Sequence, residues 1–259
     1  MLSFDEGSFD ELATEVAFCL ENIRHPKCTL EKAGHFYEGA AEALRGHAIL
    51  RLLIDGDDAG FSNDLVMSAQ ARRAYLRRCT QANYADHFLA FSRSGSFLDA
   101  IAGDHIDIAL EVFRMSPAAW RPGDEYEDDF CYQRLLGLLL GGASSDELAA
   151  TLKQLDQVAE GRGARLDVGR ALHARDATLF EQAFQDLLAQ RSGENNADKF
   201  LAEEQLTVAA GTTVFVEGVT VLKLARRLGL PIAPEYPMCP TLALIEREPE
   251  RPPDEFAAP

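Results

Sequence analysis

The stretch Ala100–Leu140, AIAGDHIDIALEVFRMSPAAWRPGDEYEDDFCYQRLLGLLL, decides the fold. It reads as the end of one helix, a break at Gly103-Asp104, a second helix, a corner between Pro117 and Pro122, an acidic knot, and a third helix that is nearly all apolar. Ile106, Ala109, Leu110 and Phe113 fall on one helical face. Gly103 is expected to end the first helix in the left-handed conformation. Asp104 is expected to cap the second by accepting from its free amides. The third helix, about Glu125 to Leu140, is preceded or begun by Asp124, Glu125, Glu127, Asp128 and Asp129, with Tyr126 among them.

The same helical period extends outward in both directions. Phe9, Leu12, Val16 and Leu20 share a face, with Ser8 and Glu11 placed as a capping box and Pro26 as a stop. Further helices are expected at about Leu30–Ile54, Asn63–Gln81, Ala82–Arg93 and Ser96–Ala102. Beyond the acidic knot they are expected at about Asp146–Glu160, Ala164–Ala174, Ala177–Arg191, Ala197–Ala209 and Thr213–Leu228. Arg175-Asp176 repeats the stop-and-cap device of Gly103-Asp104. The fold class is therefore all-α: an irregular bundle of antiparallel helical hairpins with solenoid-like stacking and no strict repeat. An N-terminal helical region (1–95) and a C-terminal one (96–245) are expected to pack as one globular unit. A Pro-rich flexible tail (246–259) is expected to follow, wrapping the surface through Leu242–Ile245 and fraying beyond Pro249.

The 259 residues suffice for a large core, and 47% of them are hydrophobic. Forty-two acidic residues against 25 basic ones give a net charge of -17. Such a surface repels nucleic acid and anionic lipid and draws in basic partners. The acidic opening MLSFDEGSFDEL lacks a basic n-region and an apolar h-region. It predicts no secretory signal and hence a cytoplasmic location. No apolar run approaches the ~20 residues of a membrane span; the longest, Leu135–Leu140, reads as buried helix.

Familiar catalytic and metal motifs are missing. Five cysteines (Cys19, Cys28, Cys79, Cys131, Cys239) have no CxxC pair and read as small buried apolar groups. The loop Asp55–Val66 partly matches a calcium loop, but Ala59 and Val66 occupy ligand positions, so it reads as a helix-ending turn. The six histidines (His25, His35, His47, His87, His105, His173) lack metal-site spacing and read as packing residues. There is no GxSxG elbow and no phosphate loop. No catalytic residue, metal or cofactor is expected.

The acidic knot has three readings. It is a solvated first turn, since a helix start favours anions. It is a docking patch for a cationic partner, formed by Trp120, Asp124, Glu125, Tyr126, Glu127, Asp128 and Asp129, where aromatic groups among charges serve as anchors. Or it is a paired-carboxylate site, which neighbours on one turn do not readily supply.

Gly103-Asp104, Pro117, Trp120, Gly123 and the run Glu125–Phe130 resemble the Immunity protein 49 family of bacterial polymorphic-toxin systems. So do Ala171–Asp176, Phe180 and the LARRLGLPI segment that follows Val221, up to Pro240. The resemblance covers about Ile101 to Leu244. It implies an all-α fold and an immunity function: neutralising a cognate toxin by stoichiometric occlusion of its active site or substrate channel. The toxin is expected to be a basic, cytoplasmically acting nuclease, met at ~10⁸ M⁻¹s⁻¹ or above at low salt through charge steering. Neither nucleic acid nor membrane is expected as a partner. The competing expectations are a helical scaffold or adaptor unrelated to toxins and, third, an α-helical hydrolase. A deep pocket of converging polar groups favours an enzyme, and an acidic face favours an inhibitor.

Overall fold

The computed structural model describes residues 4–161, 163–197, 202, 205–246 and 252–257. The chain is 73% helical and all-α. The helices are α1 (Glu6–Arg24), α2 (Leu30–Leu50), α3 (Asp58–Ala82), α4 (Ser96–Ala102), α5 (Ile106–Met115), α6 (Glu127–Gly141), α7 (Ser145–Val158), α8 (Ala164–Ala174), α9 (Ala177–Ala197), α10 (Leu206–Thr213) and α11 (Val216–Arg227). Neighbours in sequence pack on one another from α1 to α3 and from α4 to α9. The array then folds back: α10 lies on α2 and α11 on α4. This return closes the bundle and builds one continuous apolar core from Ala48 to Leu244. Within it Phe91 and Phe97 are buried and pack against the partly buried Phe113, the three ring centroids lying 5.3–6.2 Å apart.

Side-chain caps set the starts of α1, α3, α7 and α9. The N-cap of α1 is Asp5 rather than Ser8: its side chain accepts from the Ser8 amide at 3.0 Å, and Ser8 reciprocates as the third helical residue. α3 starts five residues earlier than expected because Asp57 accepts from Gly60 N–H at 2.8 Å. Residues 58–66 are therefore the first turns of a helix, with Val66 buried, and do not form an ion-binding loop. Asp176 caps α9 as expected, accepting from the amides of Thr178 and Leu179, while Arg175 takes the left-handed conformation. α9 runs on to Ala197; of the helix expected at 197–209, residues 198–201, 203 and 204 lie outside the described residues, and 206–209 are the first turn of α10.

Two local expectations are corrected. Asp104 does not cap α5. Asp104, not Gly103, is left-handed (φ 65°), and its carboxylate turns away to Lys223. Gly103 is needed instead for close approach, since a Cβ there would lie 2.9 Å from the carbonyl oxygen of Ser62. The helix expected at 82–93 is also absent. Asn83 turns left-handed and stops α3, leaving one short 3₁₀ turn at His87–Leu89. The buried Arg72 guanidinium holds this irregular segment by donating to the carbonyls of Phe88, Leu89 and Ala90.

Thr241–Leu244 forms a 3₁₀ turn with Ala243 and Leu244 buried. Residues 252–257, expected in a flexible tail, return to α1–α3. Phe256 is buried against Tyr37, Arg73 donates to Asp254 at 2.7 Å, and Arg24 binds both the carbonyl and the carboxylate of Glu255. Cys19, Cys79, Cys131 and Cys239 are buried and Cys28 is half-buried. Burial pushes the thiols of Cys19 and Cys239 up to about 12 and that of Cys131 to about 11. They are therefore poor nucleophiles. Among the described residues no single helix is long and apolar enough to cross a membrane.

Candidate functional site

The acidic corner is built from the chain between α5 and α6. Its carboxylates do not form a uniform outward patch. Glu125 points inward: Oε2 accepts from the amide and hydroxyl of Ser92 at 2.8 and 2.7 Å, and Oε1 accepts from the Arg121 amide at 3.3 Å. Trp120 is half-buried, and its Nε1–H donates to the Glu125 carbonyl at 3.1 Å. Asp124 pairs with Arg121 at 2.8 Å. Arg121 in turn reaches the Asp86 carbonyl, so the corner is tied to the irregular segment after α3.

The α6 end of the corner follows the same logic. Glu127 accepts from Gln154 of α7 at 3.2 Å. Asp129 pairs with Arg165 of α8 at 2.6 Å, and Arg165 also grips Glu217 of α11 in a bidentate pair. The Arg165 guanidinium lies over the Tyr132 ring at 5.3 Å. Burial raises the pKa of Asp129, outweighing the opposite pull of Arg165. Tyr126 and Asp128 alone stand fully exposed, Tyr126 at 78%. Asp128 borders a groove of about 310 Å³ floored by Leu155, Val158 and Leu166. Of the seven corner residues, then, Trp120, Asp124, Glu125, Glu127 and Asp129 are engaged within the fold, while Tyr126 and Asp128 are exposed.

A larger concavity lies elsewhere, where α10 and α11 fold back over α2 and α4. It encloses about 460 Å³ and brings together Glu42, Arg45, Asp99, Arg191 and Glu217 above apolar walls from Leu98, Val214 and Phe215. Asp99 is fully buried and saturated. Arg45 donates to it through Nε and Nη2, both at 2.7 Å, and Ser68 donates at 2.6 Å. Burial opposes the charge on Arg45, but Asp99 more than compensates and raises its pKa. Glu217 is held by Arg165 on both oxygens. Among the described residues, those lining this cavity include no His, Cys, Ser, Lys or Tyr. They can bind and orient, but they hold no nucleophile beside a base of the usual kind.

A buried His–Asp pair sits at the α2–α3 contact. Asp64 lies 2.7 Å from His47 Nδ1 and 2.8 Å from Arg51 Nε. Its placement is structural, because the Phe9 ring covers the imidazole at 4.0 Å.

Neither this pair nor the 460 Å³ cavity was legible in the sequence. The cavity's members are single charges on helices far apart in the chain, and those of the pair lie 17 residues apart on successive helices. The available signal was an Arg or Asp on the apolar face of α2, α3 or α4, where a lone charge demands a partner. In comparisons with known proteins, the chain matches no family model, no curated protein and no solved structure, so the family resemblance rests on the residues that carry it.

Proposed function

We propose that the chain is a stoichiometric binding protein that neutralises a basic protein partner, an immunity protein of the kind its resemblance implies. The observation that carries this reading is how the cations are used. The chain has 42 acidic and 25 basic residues. At least twelve of the Arg and Lys side chains are already paired with carboxylates within the fold. The carboxylates outside these pairs outnumber the remaining cations by about two to one. A basic toxin is steered toward such a field, and the effect weakens with salt. Tyr126 and Asp128 beside the Leu155–Val158 groove are the proposed anchor, an exposed aromatic next to an uncommitted charge.

The test is co-expression with the product of the neighbouring gene. The expected result is rescue of growth and a one-to-one complex whose association slows as salt rises. Tyr126→Ala combined with Asp128→Lys should speed dissociation. Growth that is unaffected, with no complex recovered, removes the reading.

A further inference from the structure

The cavity between α2, α4, α10 and α11 holds in its wall two charges of opposite sign, Glu42 and Arg191, neither of which makes a short ion pair to a described residue. Glu42 makes no hydrogen bond to any described residue. Burial in the cavity and the neighbouring Glu38 raise its pKa, outweighing the opposite pull of Arg45, Arg93 and His35. Arg191 is the converse case. Its Nε is buried without an acceptor, Nη2 donates to the Gly211 carbonyl at 2.9 Å, and its one ion pair is a long contact of 3.5 Å to Glu194. The guanidinium is nevertheless fixed, because it lies over the Phe215 ring at 5.6 Å. The other charges in the wall are spent: Arg45 on Asp99, and Glu217 on Arg165.

A purely structural cavity would be expected to neutralise its own charges. Here an open carboxylate and an under-used, pre-positioned guanidinium face one space with apolar walls. About 460 Å³ lies within the range of small-molecule sites. We infer that this cavity binds a zwitterionic small molecule, an amino acid or dipeptide with apolar side chains. Its carboxylate is taken by Arg191, its ammonium by Glu42, and its hydrocarbon by Leu98, Val208 and Val214. A planar guanidinium suits a carboxylate, and a compact carboxylate suits an ammonium. The rigid floor is supplied by the buried Arg45–Asp99–Ser68 network, which fixes α2, α3 and α4 around the cavity. Gly95 is part of this design, since a Cβ there would lie 2.1 Å from Arg45 Nη2 and push the guanidinium off Asp99. The inference is independent of the proposed partner, whose anchor lies on the α6–α8 side.

Calorimetric titration of the full chain tests it, with leucine, leucyl-leucine, N-acetyl-leucine and leucinamide as probes. One of the two free zwitterions should bind saturably at one site per chain. The capped forms, each lacking one charge, should bind at least about tenfold more weakly. Glu42→Gln should abolish the discrimination against N-acetyl-leucine, and Arg191→Met the discrimination against leucinamide. Val208→Trp removes no charge but fills the space, and should abolish binding altogether. The comparison among probes uses the unaltered protein, so misfolding of a variant does not blur it. The inference is overturned if neither zwitterion binds up to about 10 mM, if the capped forms bind as well as the free ones, or if well-folded Val208→Trp binds unchanged.

Discussion

Nζ of Lys223 lies 2.7 Å from Oδ2 of Asp104, a contact across 119 residues of chain. The same ammonium donates to the Ala102 carbonyl at the end of α4, so one buried side chain locks α11 to the α4–α5 corner. Asp104→Ala leaves that ammonium buried without a counter-charge and forces alanine into a left-handed conformation. A loss of about 3 kcal/mol in denaturant unfolding is expected. Asp104→Asn should cost clearly less, because asparagine tolerates positive φ and still accepts a hydrogen bond. Equal losses would show that the ion pair is unimportant.

Arg72 governs the non-helical stretch after α3. Burial lowers its pKa to about 10, yet its guanidinium spans three carbonyls in the 88–90 segment. Lysine cannot reproduce that fork. Arg72→Lys should lose about 2–3 kcal/mol and accelerate hydrogen exchange at residues 87–91 before the rest of the protein. Uniform exchange throughout would refute a local role.

Gly137 of α6 lies against the Phe113 ring of α5. A Cβ there would lie 2.4 Å from Cδ2 of Phe113. Helix propensity alone would make Gly137→Ala favourable by about 1 kcal/mol. Steric conflict should reverse the sign to a net loss of about 1–3 kcal/mol. Phe113→Leu should be less harmful in the Gly137→Ala background than alone, a coupling readable in a double-mutant cycle.

Asp129 supplies a pH signature. Its pKa is raised in the folded state, so the native protein holds this proton more tightly than the unfolded chain. The group's contribution to stability is greatest at low pH and is lost as pH rises through the raised value. Relative to Asp129→Asn, the natural protein should gain stability as pH falls through the raised value toward the ordinary aspartate value. A difference that does not vary with pH would mean that Arg165 offsets the burial completely.

Short-range signals carried much of the architecture. The limits expected for the Ser96–Ala102 and Ala164–Ala174 helices coincide with α4 and α8, and the Asp176 cap forms as read, because these depend on periodicity and neighbours within four residues. The failures share the opposite cause. Asp104 stands where a cap belongs, but a lysine from the far end of the chain claims it. The 82–93 segment has helical composition, but Asn83 and the reach of Arg72 outweigh propensity. The acidic knot reads as one patch in sequence. Ser92, Arg121, Gln154 and Arg165 divide it into structural and free carboxylates, and three of those four lie 27–36 residues from the acids they hold.

The docking of residues 252–257 has a consequence for biosynthesis. Arg73 must wait 181 residues for Asp254, and Arg24 must wait 231 for Glu255. At ribosomal rates of about 5–20 residues per second, the wait for Asp254 is roughly 10–40 s. Throughout that interval the nascent α1–α3 layer lacks the Phe256 ring that covers Tyr37. The apolar surface around Tyr37 stays uncovered until residues 252–257 emerge to close it.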